Sequence, residues 1–166
     1  RERQKAIVEQ LSPTLMRWIL LETNPSGAHK KLSNLLKGHM LILVQEHRYA
    51  ALLPLVNAFY LIDQGLLEKP EEIRATASEV IQELARWYRL DNLFEAYEKS
   101  YDEEKMDIGR ILARLGTAPL QRLMDVLRDH PDSNERVRIM HVIREIGPAA
   151  IPVIEERSRK DYPWYH

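Results

Sequence analysis

Histidine side chains are the best candidates for chemistry in this sequence, because an imidazole can bind a metal ion or exchange a proton near neutral pH. The six histidines are His29, His39, His47, His130, His141 and His166. No two of them lie three or four residues apart, the spacing at which one helix face directs two imidazoles towards a metal. The chain also lacks cysteine, so there is no thiolate ligand. We therefore predict no metal site.

Motifs for nucleophilic catalysis and for cofactor binding are missing as well. The chain has no Gly-x-Ser-x-Gly elbow, no phosphate-binding loop and no dinucleotide fingerprint, and its six glycines stand apart from one another. In the phosphate-binding and dinucleotide motifs, closely spaced glycines let the backbone approach the phosphates. We expect no catalytic residues, no cofactor and no enzymatic activity.

Six basic residues near the end of the sequence are candidates for phosphate contacts. They are Arg136, Arg138, Arg144, Arg157, Arg159 and Lys160. Four glutamates lie among them, at Glu135, Glu145, Glu155 and Glu156. Interleaved charges of opposite sign favour a solvated face with local ion pairs over a DNA-binding stripe.

The three tryptophans could stack on a base or on a peptide side chain. Trp18 and Trp87 fall within helical apolar stripes, so we predict that both belong to the core. Trp164 falls in a turn close to the end of the chain, and its role depends on a repeat that the chain does not complete.

These side chains are positioned by a segment that repeats itself. Residues 108–123 match residues 139–154 without a gap at a spacing of 31, from Ile108 with Ile139 to Leu123 with Ile154. Seven aligned pairs are apolar and one is a pair of glycines, Gly116 with Gly147. A fixed period of this length is typical of stacked repeats, in which each unit buries its apolar face against its neighbour.

Each repeat unit is predicted to be a pair of short helices. The apolar positions within a unit lie three and four residues apart, as on one face of a helix. Gly116 and Gly147 follow the last apolar position of the first helix, where a left-handed backbone is easiest for glycine. We therefore expect these glycines to end the first helix of each unit.

At these residues the sequence resembles the HEAT repeats, in their short bacterial version named from phycobilisome lyases. The matching pieces are Leu127–Asp129, Val137–Arg138 and Ile146–Pro152. The resemblance implies a right-handed α-solenoid of antiparallel helix pairs, with the second helix of each pair lining a concave surface. It also implies that Asp129 and Arg138 pair along the stack.

Upstream, helical patterns continue while the repeat fades. Pro70 is predicted to open one helix and Asp91 to cap the next, so residues 69–101 are interpreted as a degenerate repeat. Residues 1–68 are interpreted as helical hairpins, with Ser12 and Pro13 at the start of the first helix and a kink or a late start at Pro54. Gly65 is predicted to end the helix that contains Pro54.

The last unit is incomplete, because residues 161–166 resemble the opening of a third repeat whose helix is missing. We expect the chain to be a fragment, or an engineered domain, of a longer protein. The alternative is a natural terminus whose aromatic residues fold back as a lid. The prediction is thus one continuous module, with the HEAT-like repeats over residues 102–166.

Composition limits the classes of partner. The chain has 24 basic and 25 acidic side chains among its 166 residues, so its near-neutral charge does not suggest nonspecific attraction to nucleic acid or to an acidic membrane. The longest apolar run, Leu52–Ile62, is too short to span a bilayer, and no signal peptide is visible. We predict a cytoplasmic protein; its oligomeric state is not encoded in these patterns.

The predicted function is a non-enzymatic scaffold that binds another protein along its concave helical surface. The candidate contacts lie on the second helix of each unit, at Gln121, Arg122, Met124, Asp125, Arg128, Val153, Glu155, Glu156 and Arg159. The alternative is a DNA-binding or DNA-repair module like the HEAT-like alkylpurine glycosylases. A third role, chaperoning a tetrapyrrole as the lyase name suggests, has no cysteine or histidine pair to support it.

Overall fold

The chain is all-helical, as predicted, over the part that the computed structural model describes, residues 2–161. No strand occurs in this range. The helices are α1 (Glu2–Leu21), α2 (Gly27–Gln45), α3 (Tyr49–Asp63), α4 (Glu71–Leu84), α5 (Trp87–Lys99), α6 (Asp102–Ala113), α7 (Leu120–Asp129), α8 (Ser133–Ile146) and α9 (Ile151–Asp161), with a short 3-10 helix (Gly147–Ala150) before α9. Trp164 and most of the expected third unit lie outside the described residues.

The helices of the two repeat units begin at matching positions. Asp102 and Ser133 open α6 and α8, and Leu120 and Ile151 open α7 and α9, so both pairs of starts lie 31 residues apart. The burial of the second helix is less regular. Leu120 is fully buried, whereas its counterpart Ile151 is 53% exposed.

Gly147 ends the first helix of the second unit, as expected, whereas α6 ends at Ala113, three residues before Gly116. Gly116 has φ +79° and Gly147 has φ +80°, and Gly65 after α3 has φ +71°. The ψ angle of Gly147 is −154°, which places its backbone in a region that is open almost exclusively to glycine. The sharp break between α8 and the 3-10 helix therefore requires this residue.

Both prolines of the N-terminal hairpins lie inside helices. The predicted helix start at Ser12 and Pro13 is wrong, because α1 already begins at Glu2. Pro13 cannot donate to the carbonyl of Glu9, but the Ser12 hydroxyl donates to that oxygen at 3.0 Å and partly replaces the missing bond. Helix α3 likewise continues through Pro54 from Tyr49 to Asp63.

Two predictions for α5 are also wrong. Asp91 does not cap the helix, because α5 begins four residues earlier, at Trp87. Trp87 is not in the core either: it is 75% exposed. The sequence pattern there has apolar residues on both sides of the helix, so period alone could not separate the inner from the outer face. Trp18 is half-buried and packs against the core, in closer agreement with its prediction.

Helices α3 and α6 are the centre of the packing. Helix α3 packs against α1, α2, α4 and α6, and α6 packs in turn against α3, α5 and α8. Fully buried residues such as Phe59 on α3 and Ile108 on α6 belong to one core that runs from Ile19 to Ala150. The closest packing of α4 is with α3 and α2, and that of α5 is with α6. The core therefore holds α6, α7 and α8 against the N-terminal helices.

Candidate functional site

Helices α5, α7 and α9 are linked by two arginine–aspartate ion pairs. Arg122 on α7 pairs with Asp91 on α5, and Arg157 on α9 pairs with Asp125 on α7. Arg157 also donates to the backbone oxygen and to the side-chain oxygen of Gln121, at 2.8 and 3.0 Å. Each helix in this row is therefore held to the next by a charged side chain that crosses the gap between them.

An aromatic ring lies beneath the first of these pairs. The guanidinium of Arg122 lies 4.7 Å from the centre of the Phe94 ring, within the range of a cation–π contact. The ring is buried and belongs to the core. Arg122 therefore contacts both the Phe94 ring and Asp91 of α5, although its side chain stays about half exposed.

Helices α6 and α8 are tied in a similar way. Arg114 pairs with Glu145 at 3.0 Å, and Lys105 pairs with Glu135 at 3.0 Å. The Lys105 and Glu135 side chains are only 9% and 13% exposed, and the ammonium also lies 4.6 Å from the Tyr97 ring centre. Burial, followed by the charge of Glu135, raises the pKa of Tyr97 to about 12.

The candidate partner contacts divide into three groups. Gln121, Arg122 and Asp125 take part in the contacts between helices just described. Met124 and Val153 are half-buried and pack against the core, so they do not lie on a fully exposed binding face.

The other four candidates are exposed. Arg128 contacts Asp129 at 3.0 Å and Asp125 at 3.8 Å. On α9, Glu155 pairs with Arg159 at 3.8 Å, while Glu156 pairs with Lys160 at 3.5 Å. Such exposed pairs on one helix contribute little to stability, so the side chains of Glu155, Glu156 and Arg159 are available to another molecule.

The pair expected between Asp129 and Arg138 does not form, because each residue has a nearer partner. Asp129 pairs with its neighbour Arg128, which lowers the pKa of the aspartate. Arg138 pairs with Glu135 on its own helix at 3.3 Å. The contacts along the row are made by Arg122 and Arg157 instead.

The basic residues near the end of the sequence are mostly neutralised. Arg138, Arg157, Arg159 and Lys160 each pair with an acid, and Arg136 donates to the backbone oxygen of His130 at 2.9 Å. Local ion pairs within one helix, as expected, are made by Arg138, Arg159 and Lys160, whereas Arg157 pairs across to α7 and Arg136 bonds to the backbone. A continuous basic stripe does not arise from them.

Neither a metal cluster nor a membrane-spanning helix is present in the part of the chain that the structure describes. No cluster of three or more histidine, aspartate or glutamate side chains is arranged to hold a metal ion within residues 2–161. In the same range, no helix combines the length and the apolar character that a membrane span needs.

A groove that was not predicted from the sequence lies between the end of α2, the length of α5 and the start of α6. It encloses about 880 Å³ and is lined by Leu41, Val44, Gln45, His47, Tyr88, Arg89, Asn92, Glu95, Ala96, Lys99, Ser100, Tyr101 and Glu104. We call this the α2–α5 groove. Its lining mixes exposed tyrosine rings with amide and charged groups, which is typical of a surface that contacts a polar partner.

His47 occupies a strained position at the edge of the α2–α5 groove. Its φ is +56°, and its N–H donates to Val44 while that of Arg48 donates to Leu43, at 3.2 and 2.9 Å. This is the Schellman pattern that ends many helices, and its left-handed residue is usually glycine. A side chain there costs about 1–2 kcal/mol in backbone strain.

The next helix ends with the same pattern and uses glycine. After α3, Gly65 donates to Ile62 and Leu66 donates to Leu61, at 3.1 and 3.0 Å. The chain therefore places histidine where an equivalent turn eighteen residues later has glycine. The His47 Nδ1 is 2.7 Å from the Tyr49 hydroxyl, a contact that fixes the ring and leaves Nε2 directed away from it.

Asp102 is the other non-glycine residue with a positive φ in residues 2–161, at +53°. Its side chain lines a second, smaller pocket between α6 and α8. Burial, and then the charge of Glu104, raises the pKa of the Tyr49 hydroxyl that contacts His47. His47 is therefore the strained residue that lines the α2–α5 groove.

Comparison of the chain with protein-family models, with curated proteins and with solved structures found no match.

The resemblance to HEAT repeats therefore stays a prediction that depends on the residues quoted for it. A sequence signal for the left-handed residue at the turn after α2 did exist. Residues 45–48 form a tight turn between two helices without a glycine, so a residue with a side chain had to adopt the left-handed conformation.

Proposed function

We propose that this chain is a non-enzymatic scaffold that binds a partner protein, and that its helices form a HEAT-like right-handed solenoid. The observation that supports this best is the row of charged contacts from α5 to α7 to α9. Asp91 with Arg122, and Asp125 with Arg157, connect each second helix to the next. Side chains on the outer face of this row then keep constant relative positions.

Rigid positions matter because binding orders the groups that make contact. A surface that is already ordered loses less conformational entropy when a partner docks, so more of the interaction energy contributes to affinity. Within the candidate set, Gln121, Arg122 and Asp125 act as positioning residues between the helices. Glu155, Glu156 and Arg159 on α9 are the side chains that meet the partner.

Charge reversal at Glu155 tests this proposal. The Glu155→Lys variant should lose partner capture while it melts at the same temperature as the parent, because an exposed pair on one helix contributes little to stability. The measurement is quantitative mass spectrometry of proteins retained from a cell extract by the immobilised chain.

The matched control is Glu79→Lys, which reverses an exposed acid in the middle of α4. Proteins that are lost with Glu155→Lys and kept with Glu79→Lys support binding by α9. The proposal fails if both variants retain the same proteins as the parent chain.

The DNA-binding alternative makes a different prediction for the same preparation. It requires binding to duplex DNA that weakens steeply as salt is added, because each phosphate contact releases counterions. The acid partners of Arg138, Arg157, Arg159 and Lys160 favour the protein-binding proposal. An electrophoretic shift at low salt that Arg159→Glu abolishes would reverse this preference.

A further inference from the structure

The α2–α5 groove combines three independent features that point to a ligand. It has a volume of about 880 Å³. His47, one of the two non-glycine residues with positive φ in residues 2–161, lines it. Backbone strain of this kind is kept at sites where the position of a side chain matters.

Exposed aromatic rings are the third feature. Tyr101 is 81% exposed, and Tyr88 is also exposed, although both line the groove. Trp87 extends this surface, because its ring meets Tyr88 edge to face at 5.6 Å. Large rings are rarely left in water in such proximity unless a partner covers them.

The polar groups of the groove match a peptide backbone. Gln45 and Asn92 each carry an amide that can donate and accept at once, as a peptide group requires. Neither side chain makes a hydrogen bond to another described residue. His47 adds Nε2 as a further polar atom, since its Nδ1 is engaged by Tyr49.

The charges of the groove select the sign of the ligand. Arg89 pairs with Glu83 at 3.1 Å, and Lys99 pairs with Glu95 at 2.6 Å. Glu104 forms no ion pair within the described part of the chain, so one acid remains to attract a cation. A basic side chain of the ligand would pair with Glu104.

We propose that the α2–α5 groove binds an extended, proline-containing segment of a partner protein that carries at least one lysine or arginine. Proline rings stack on exposed tyrosine and tryptophan rings, and a polyproline II segment is already ordered before it binds. Its carbonyl oxygens stay free for the amides of Gln45 and Asn92. Its basic residue meets Glu104.

An amphipathic helix fits the groove less well. A docked helix needs a continuous apolar floor for anchors at positions i, i+3, i+4 and i+7. The aliphatic lining consists of Leu41, Val44 and Ala96, and the remaining lining is polar or aromatic. An extended peptide can instead alternate ring contacts with hydrogen bonds along the groove.

Selection from a random peptide library displayed on phage tests the proposal, with the whole chain immobilised. The enriched peptides should contain proline and a basic residue, and the most enriched one is then synthesised with a fluorescent label. Its affinity, measured by fluorescence polarisation, should fall about tenfold with Tyr101→Ala, which corresponds to about 1.4 kcal/mol. It should fall several-fold with Glu104→Gln at low salt and less at high salt.

His47→Gly provides the second arm of this experiment. The equivalent turn after α3 has a glycine, Gly65, at this position, so the variant should keep the helical circular-dichroism spectrum of the parent. Its affinity for the peptide should nevertheless fall, because the imidazole is lost. The matched control is Leu66→Ala, which removes an exposed side chain of the loop after α3. It should leave the affinity unchanged.

Three results would overturn the proposal. They are a library that enriches nothing, enrichment of helical peptides without proline, and a labelled peptide whose affinity does not respond to Tyr101→Ala or Glu104→Gln. The groove shares no lining residue with the candidate contacts on α7 and α9. If no peptide binds the groove while Glu155→Lys still abolishes capture, this inference is wrong but the proposed scaffold function is still supported.

Discussion

His29 is a buried titratable residue of α2, in contact with the end of α1. Its ring lies 5.9 Å from that of Trp18, and its Nε2 has no hydrogen-bond partner in the described structure. Burial lowers the pKa of His29; Glu22 opposes this shift and Lys69 adds to it. The folded chain therefore holds this imidazole neutral where an unfolded chain would protonate it.

This sets a direction for the pH dependence of stability. An unfolded histidine has a pKa near 6.5. Because the pKa of His29 is depressed in the folded state, its contribution is complete above about pH 6.5 and is lost as the pH falls through the folded value. The parent chain should thus unfold at less urea at pH 5.5 than at pH 7.5. His39, whose pKa burial also lowers, adds to the same trend.

Replacement of His29 by leucine should make the urea midpoint less sensitive to pH between these two values. His141→Leu is the control, because His141 is exposed. If His29→Leu keeps the full pH dependence of the parent, the imidazole is not buried as described.

The glycine signals show how much a single residue can predict. Gly65, Gly116 and Gly147 were expected to end helices, and all three have a positive φ. These predictions depend only on local backbone sterics. His47 has the same backbone role but was not recognised, because its residue type carries no such signal. Trp87 was misplaced because its burial depends on distant packing.

Helices α6 and α8 are tied through a partly buried ion pair, Lys105 with Glu135. Removing one partner leaves a charge without compensation in a site of low exposure, which costs about 3 kcal/mol. We therefore expect Glu135→Leu to lower the free energy of unfolding by about that amount. The double variant Lys105→Met with Glu135→Leu should recover most of the loss, because apolar groups of similar size replace the pair.

Urea unfolding of the parent, both single variants and the double variant gives the coupling energy of the pair. Losses that add independently would show that Lys105 and Glu135 do not interact. The pair of Arg122 with Asp91 serves as a comparison. Both its side chains are about half exposed, so its coupling should lie below about 1 kcal/mol.

At the scale of elements, the repeat spacing contained more information than the apolar pattern alone. Arg122 lies 31 residues after Asp91 and Glu145 lies 31 after Arg114, while Arg157 lies 32 after Asp125. Opposite charges at the repeat period therefore mark contacts between neighbouring helices. A search at that spacing would have found these pairs, whereas the family pattern pointed to Asp129 and Arg138.

The α2–α5 groove is a property of the whole molecule. It joins residues 41–47 with residues 88–104, and no local pattern relates two segments so far apart in sequence. Its formation depends on how α5 lies across α6 beside the end of α2. The all-helical class could be predicted from the apolar periodicity. The position of α5 relative to the end of α2, in contrast, is set by the packing of α2 and α6 around α3.

The account depends most on two repeat units that lie side by side with α6 against α8. The closest approach is at Gly109, where an added Cβ would lie 3.0 Å from a methyl carbon of Val142. A Gly109 hydrogen occupies that direction and should give a strong nuclear Overhauser effect to the Val142 methyl group. Observation of this cross-peak is the predicted result. Its absence, with both resonances assigned in the folded chain, would contradict the packing of one unit on the next.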